Sequence, residues 1–347
     1  AELGLTPLAR VVSTGVSVVV VTYRCAGIVG RTLDSLREQA WPDVEVVVVD
    51  NASDDGTVAL VRDRLPEADV HELARNLGFA EANNVGVAAS SGEFVFMLNP
   101  DAWVEPDTIG RLVDALGDPG VGVVGGTVRH EDGSVQERGN LLDRTGFPLP
   151  RRGDVAPLER DTFYVGGCAL MLRRSDWDRA GGLDGRLFMF CEEVDLCWRI
   201  QLLDRDVAVV RDAVVWHVGG ATLAGGYASG GRHRTSARRI YLRERNTLAM
   251  VLANAPVRAL GWVALGWLGN VAEAMVFLVR GEWRISLQYP RALAWNVAHL
   301  PSTLARRRRV AASRVRPHRA VRGWARGSAK LALLRSTGGL PTTRGRG

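Results

Sequence analysis

Two aspartates, Asp50 and Asp101, each close an apolar run, VEVVVVD from Val44 and EFVFMLNPD from Glu93. Apolar runs without alternation are the pattern of parallel strands covered on both faces. In an open α/β sheet, ligands bind in the crevice outside the carboxyl ends of such strands. Two carboxylates delivered there converge on one site with the geometry of a nucleotide pocket, although either alone reads as a turn or N-cap residue. A diphosphate departing from that pocket needs its charge absorbed by a metal or by Arg and Lys. The sequence has no G-x-x-x-x-G-K-[ST] loop, and GGLDG is too short and wrongly placed to cradle phosphate. Mg2+ or Mn2+ is then the economical choice. Part of its octahedral oxygen shell comes from the phosphates, so one or two protein ligands suffice. Asp101 supplies one, and Asn99 adds an amide oxygen or simply holds the turn. His217 ends the last strand in VVWHVGG. There it is either a structural histidine or, if it meets Asp101 across the crevice, half of an O and N ligand set that leans towards manganese.

A third group of acids lies in CEEVDLCWR. On a helix beginning near Glu192, Asp195 shares a face with Glu192 while Glu193 points elsewhere. Acids in a first turn are stabilised by the helix dipole. The same field keeps a base ionised near neutral pH, as deprotonation of an acceptor hydroxyl demands. Spacing leaves the choice among Glu192, Glu193 and Asp195 open.

The elements that must position these residues follow an α/β rhythm with a mostly parallel sheet flanked by helices. Strands are expected over Val16 to Tyr23, Val44 to Asp50, Val70 to Leu73 and Glu93 to Leu98. Helices are expected over Ile28 to Gln39, Thr57 to Leu65 and Phe79 to Ala89. After Asp101 the chain is expected to turn and restart as a helix, with Pro106 as its first residue, up to about Leu116. A short strand over Val121 to Gly126 follows, then a polar excursion from Arg129 to Asp161 without periodicity. Phe163 to Arg174 and Val207 to Gly220 read as the remaining strands, and the glycine-rich stretch after them promises mobility.

At 347 residues and 46% hydrophobic content the chain is globular. Its net charge of +6 comes from the end: 13 Lys and Arg and no acid lie from Pro301 onward, leaving 31 basic against 38 acidic residues before it. Such a tail attracts nucleic acid or anionic headgroups, or is a solvated, partly disordered end. Only Trp324 interleaves with it, which makes nucleic acid an unlikely partner. Cys25, Cys168, Cys191 and Cys197 form no zinc spacing and fit a reducing cytoplasm. The first residues lack the pattern of a secretory signal. Four segments result: an N-terminal extension (1–15), a catalytic domain (16–246), an apolar helical segment (247–300) and the basic tail (301–347). The apolar segment's longest uncharged runs, 12 and 14 residues, are short of the roughly 20 that span a bilayer. One or two helices lying in the membrane interface, anchored by Trp262, Trp267, Trp283 and the tail, are expected; a packing layer or dimer contact is the plainer reading.

Taken in order, VSVVVVTYRC, VVVVDNASDDG, ARNLGFAEANNVG, FMLNPDAWVEPD, YVGGCALMLRR, GLDGRLFMFCEEVDLCWRI and VVWHVGG resemble the family 2 inverting glycosyltransferases of the GT-A fold. The closest likeness is to rhamnosyltransferase-like members that build bacterial surface polysaccharides. The resemblance covers about Val16 to Asn246. It implies a nucleotide-sugar donor, dTDP-L-rhamnose before UDP-hexoses, a divalent metal, and displacement with inversion. It implies that Thr22, Tyr23, Asp50 and Asn51 contact the nucleotide, and that Arg75, Asn76 and Gly78 form the donor-side NxG turn. Asn99, Pro100 and Asp101 stand for the family's D-x-D segment, Asn99 being a departure, with Asp101 and His217 on the metal. Glu193 takes the position of the base in E-D-x-D, with Glu192 and Asp195 in reserve. Gly166 and Gly167 are placed beside the acceptor, and Arg245 with Asn246 matches the RN that ends the domain, Arg245 serving the diphosphate. With the interfacial helices, this implies a glycan or polyprenyl-diphosphate-linked acceptor at the cytoplasmic face of the cell membrane; an oligomer is compatible. Rival readings are a sugar-phosphate nucleotidyltransferase and a non-catalytic membrane-bound scaffold.

Overall fold

A computed structural model describes residues 13–151, 153–219, 226–227 and 233–325. Most of the glycine-rich stretch and the last part of the tail lie outside the described residues. The first half alternates β1 (Ser13–Thr22), α1 (Val29–Arg37), β2 (Val44–Asp50), α2 (Thr57–Arg64), β3 (Asp69–Glu72), α3 (Gly78–Ala89) and β4 (Gly92–Leu98). The valines explain why. Val18 and Val20 of β1 pack with Leu33 and Leu36 of α1 on one face, while Val19 and Val21 pack with Ala80 and Ala82 of α3 on the other. A strand covered on both sides has no polar face to show. Strands β2 and β4 flank β1 and run parallel to it, with β3 outside β2. The chain therefore reverses its direction of travel across the sheet at β1, and the ends of β1, β2 and β4 open a crevice at that switch point.

The helix expected straight after Asp101 is preceded by a strand. Ala102–Val104 forms β5, antiparallel to the later strand that ends at His217, and Pro106 stands before α4 (Thr108–Leu116) instead of opening it. Three residues are too few to show a period, so the strand was invisible in the pattern. β6 (Val121–Arg129) is longer than expected. The polar excursion contains β7 (Val135–Glu137), β8 (Asn140–Leu142), β9 (Pro148–Pro150) and β10 (Leu158–Glu159). Phe163 to Cys168 is irregular chain, buried as far as Val165, and only Ala169–Arg173 is strand β11, antiparallel between β4 and β6. α5 (Arg174–Ala180), α6 (Glu192–Leu202) and β12 (Asp206–His217) complete the sheet, β12 lying parallel to β6.

The expected domain end at 246 falls inside α7 (Ala237–Asn254), whose Leu248, Met250 and Val251 are buried in the same core as Val19. α8 (Leu260–Val279) follows, long and apolar enough, with the turn before it, to cross a membrane by length and composition only. Its polar side faces the protein: Asn270 donates to Glu244 of α7 at 2.8 Å, and Glu273 is buried beside Tyr289. Its apolar side, with Trp262, Leu265, Leu268, Val271, Met275 and Val279, faces outward. α9 (Trp283–Ser286), α10 (Gln288–Ala298) and α11 (Leu300–Ser313) return the chain to α7.

The basic segment is folded onto the domain as far as Ala325. Trp324 packs edge-on against Phe163 and Trp198, with centroids 4.9 and 5.3 Å away, and Ala325 N–H donates to Leu142 at 2.8 Å. Replacing Trp324 with Ala should destabilise the domain by about 2 kcal/mol, below the 3–5 of a fully enclosed Trp. Chemical unfolding at unchanged m-value would show it, and wild-type stability would make the segment a passive tail.

Candidate active site

The nucleotide side is built where β1 and β2 end in register, Thr22 beside Asp50. Asp50 is buried, and its carboxylate accepts from Thr22 Oγ1 at 2.8 Å, Ser53 N at 2.7 Å and Ser53 Oγ at 2.6 Å. The carboxylate is thereby fixed in orientation at the crevice floor. Asn51 is a bracket: its amide donates to Gly78 O and accepts from Leu77 N. Asn76 Oδ1 accepts from Gly78 N at 2.8 Å, closing the turn into α3. Gly78 has φ +85°, and a Cβ there would lie 2.5 Å from Phe188, so no other residue fits. Tyr23 is half-buried beside Arg24, and Arg75 is exposed at the turn before α3.

Asp101 and His217 meet. β5 pairs Ala102 with His217, which sets His217 Nε2 3.3 Å from Asp101 Oδ1. Gln136 Oε1 lies 3.2 Å from His217 Nδ1; an amide oxygen there places the proton on Nδ1 and turns the Nε2 lone pair towards Asp101. Two lone pairs at that distance call for a proton or a cation between them. Adjacent ligands of an octahedral ion, each about 2.1 Å from it, stand about 3 Å apart. Asp101 and His217 would thus fit a single divalent ion. Among the described residues no group of three His, Cys, Asp or Glu forms a complete metal cage. Asn99 is half-exposed and its backbone shapes the turn, its N–H donating to Cys168 O and its carbonyl accepting from Ala102 N.

The acidic helix resolves the three carboxylates. Asp195 is 1% exposed and committed to structure, with Arg199 at 2.8 Å, Arg306 at 2.6 Å and Asn254 at 2.6 Å. Burial alone would raise its pKa, but the charges of Arg199 and Arg306 outweigh it and bring the value to about 2. A carboxylate so paired is a poor base. Glu192 is buried, and burial followed by the charge of Glu193 pushes its pKa well above the ordinary range. Glu193 is half-buried, and its pKa is raised by burial to about 7, with help from Glu137 and against the backbone N–H groups of the first helical turn. Of the three it alone is poised near neutrality. Gly167 lies against its stem, with room for a Cβ 3.5 Å from Glu193 Cβ.

Gly166 N–H donates to Glu137 Oε1 at 2.6 Å, and a Cβ on Gly166 would overlap Glu137. Glu137, with its pKa raised by burial, and Gln136 were missed in the sequence, because β7 is a three-residue strand inside a polar loop. Arg245 has another occupation than the expected diphosphate. It is buried and donates to the carbonyls of Arg186 and Leu187 while covering the ring of Trp295. Asn246 shares its amide N–H groups among the carbonyls of Leu187, Met189 and Phe190. These bonds hold the segment that enters α6, where Phe188, Phe190 and Cys191 all have positive φ.

Comparison with known proteins agrees with this geometry. The family model described as Glycosyl transferase family 2 matches residues 17–179. The N-acetylglucosaminyl-diphospho-decaprenol L-rhamnosyltransferase of Mycobacterium tuberculosis is 32% identical over 208 residues, 52% of this chain and 68% of the relative. The succinoglycan biosynthesis protein ExoO of Rhizobium meliloti is 38% identical over 101 residues, 28% of this chain and 29% of that one. Among solved structures, the mannosyltransferase PcManGT from Pyrobaculum calidifontis, in complex with GDP-Man and Mn2+, superposes with TM-score 0.50 at 19% identity, over 88% of this chain and 89% of that one. GalNAc-T7 with UDP, GalNAc and Mn2+ gives 0.54 at 16% identity, over 69% of this chain and 48% of that chain. The chain belongs to glycosyl transferase family 2 and has the GT-A fold.

Proposed function

We propose that this glycosyltransferase moves L-rhamnose from dTDP-L-rhamnose to a polyprenyl-diphosphate-linked N-acetylglucosamine, with inversion, in bacterial cell-surface polysaccharide synthesis. The observation that carries the reading is the 32% identity to a transferase of that name over 68% of its length. The site supports the chemistry. Asp50, fixed by Thr22 and Ser53, offers a carboxylate to the nucleotide base. Glu193 takes the proton of the acceptor hydroxyl as that oxygen attacks the anomeric carbon, so no protein nucleophile is needed. Asp101 and His217 would hold a Mn2+ or Mg2+ ion, which when bound neutralises charge on the departing diphosphate. Asn99 leaves this site one carboxylate poorer than a D-x-D segment.

The acceptor's lipid suggests where the enzyme works. The outward apolar side of α8 and the exposed arginines of α11 suit an interfacial position on an anionic leaflet, at the cytoplasmic face. Glu273 and Asn270, on the protein side of α8, favour lying on the membrane over crossing it.

Three outcomes test the reading. In thermal-shift measurements dTDP should raise the melting temperature with Mn2+ and not without, more than UDP or GDP, and Asp101→Ala should abolish the gain. Asp101→Asn should lower transfer about 100-fold, roughly 2.7 kcal/mol of barrier; an unchanged rate removes Asp101 from the chemistry. Leu268→Asp should weaken binding to vesicles containing phosphatidylglycerol while soluble-donor binding stays the same, and equal sedimentation would refute the α8 contact.

The pH dependence follows from Glu193. Transfer should rise as pH passes through about 7, and Glu193→Gln should lose turnover while keeping the nucleotide-induced shift. Stability runs the opposite way. The native Glu193 keeps its proton up to about pH 7, whereas the unfolded chain releases it near the ordinary glutamate value of 4.5. Between those values the native state binds more protons, so its advantage, complete below 4.5, is lost as pH rises through 7. Melting temperatures at pH 8 should therefore be higher in Glu193→Gln than in wild type, and the gap should vanish at pH 4.

A further inference from the structure

Two arginines of the basic run ARRRR turn towards the protein, Arg307 to donate to Leu252 O at 2.7 Å and Arg306 to meet two acids. α11 lies along α7, and Arg306 reaches from it beneath the acidic segment. Its Nη2 donates to Asp195 Oδ2 at 2.6 Å, and its Nε stands 3.4 Å from Asp184 Oδ2. Those two acids bracket the strained stretch. Asp184 accepts from Arg186 N to cap the short turn Gly185–Leu187 that leads into it, and Asp195 lies in the first turn of α6 that leaves it. Arg186 also holds Asp184, and Arg199 also holds Asp195. Among the described residues only Arg306 ion-pairs with both acids.

We infer that Arg306 is a positioning residue: it clamps the two ends of the loop that presents Glu192 and Glu193, which makes the C-terminal helix part of the active-site scaffold. The geometry explains why a basic helix far along the chain withdraws most of the Arg306 side chain from solvent while Arg308 and Arg309 stay exposed. Without Arg306, Asp195 retains Arg199 and Asn254, and Asp184 retains Arg186, so neither acid is left unpaired. What disappears is the cross-link. The loop, with Phe188, Phe190 and Cys191 in the left-handed region, then gains freedom along a stretch that already carries strain. The consequence for turnover rests on the proposed role of Glu193; the clamp itself does not.

The test uses the full chain with Arg306→Met and Arg306→Lys. Hydrogen exchange of residues 186–195 should accelerate about 10-fold or more in Arg306→Met, with β1, β2 and β4 unchanged. Arg306→Lys, a point charge in place of a fork, should restore protection in part. With dTDP-L-rhamnose and polyprenyl-diphosphate N-acetylglucosamine, kcat should fall about 10-fold while the donor KM moves less than about 2-fold. Exchange that rises uniformly over the chain, or does not rise in 186–195, would overturn the clamp, as would a loss carried by the donor KM. If the wild type fails to use this substrate pair, the functional reading falls, and the exchange experiment still decides the clamp.

Discussion

Three non-glycine residues at positive φ within four positions form a constraint around which the site is arranged. Each costs about 1–3 kcal/mol and persists only where its surroundings over-determine it. Here the determination comes from Asn246, fully buried, whose one amide group serves three carbonyls of the segment, and from Arg245, which shares one of them, Leu187 O, and adds Arg186 O. From the other side, Phe79 N–H and Ala80 N–H both donate to Phe188 O. The sharp entry into α6 leaves Glu192 and Glu193 in the first turn, Glu193 against Gly167, while Asp195 faces the arginines behind. Arg245 and Asn246 therefore read as holders of backbone, and the RN pair that closes the motif series has a mechanical reason to be adjacent.

The same segment ties the two halves of the pocket together. Phe188 packs where a Cβ of residue 78 would be, so the turn into α3 and the segment that enters the acidic helix are set directly against each other. Glu137 does the equivalent on the far side. Through Gly166 it touches the bend beside Glu193, and its neighbour Gln136 orients His217. A short edge strand thus connects the imidazole facing Asp101 with the carboxylates that share low-dielectric surroundings. Burial raises the pKa values of Glu137, Glu192 and Glu193, and for Glu192 and Glu193 a neighbouring carboxylate adds to it, since like charges in such a place cannot all ionise.

Much of this frame was legible in the sequence, for a physical reason. Strands buried on both faces must be apolar throughout, so β1, β2 and β4 stood out, and with them the ends that deliver Thr22, Asp50 and Asp101. His217 was legible as the end of the last such strand. β5 and β7 were not, since three-residue strands have no period, and Gln136 and Glu137 disappeared with them. The choice between Glu193 and Asp195 was also closed to the sequence. Helical spacing grouped Asp195 with Glu192, but what separates the acids is the pair of arginines on Asp195, Arg199 one turn along the helix and, brought from far along the chain, Arg306. That arginine was hidden for the same reason: composition assigns a run of arginines to solvent as a group, whereas a helix shows its successive residues to different surroundings.

α8 shows the same limit at larger scale. Length and hydropathy alone would let it cross a membrane, since it is long and mostly uncharged. Packing gives it a direction, because its few polar residues, Asn270 and Glu273, are the ones that face α7 and are buried there. A helix crossing a bilayer alone would have to carry Glu273 into hydrocarbon; one lying on the surface keeps it paired against the protein while its leucines and Trp262 meet lipid. On α11, Arg308 and Arg309 are exposed, whereas Arg307 turns towards Leu252 and Arg306 towards Asp195. Under the proposed membrane contact, the C-terminal helices would meet lipid on one side while Arg306 holds the segment entering α6 on the other.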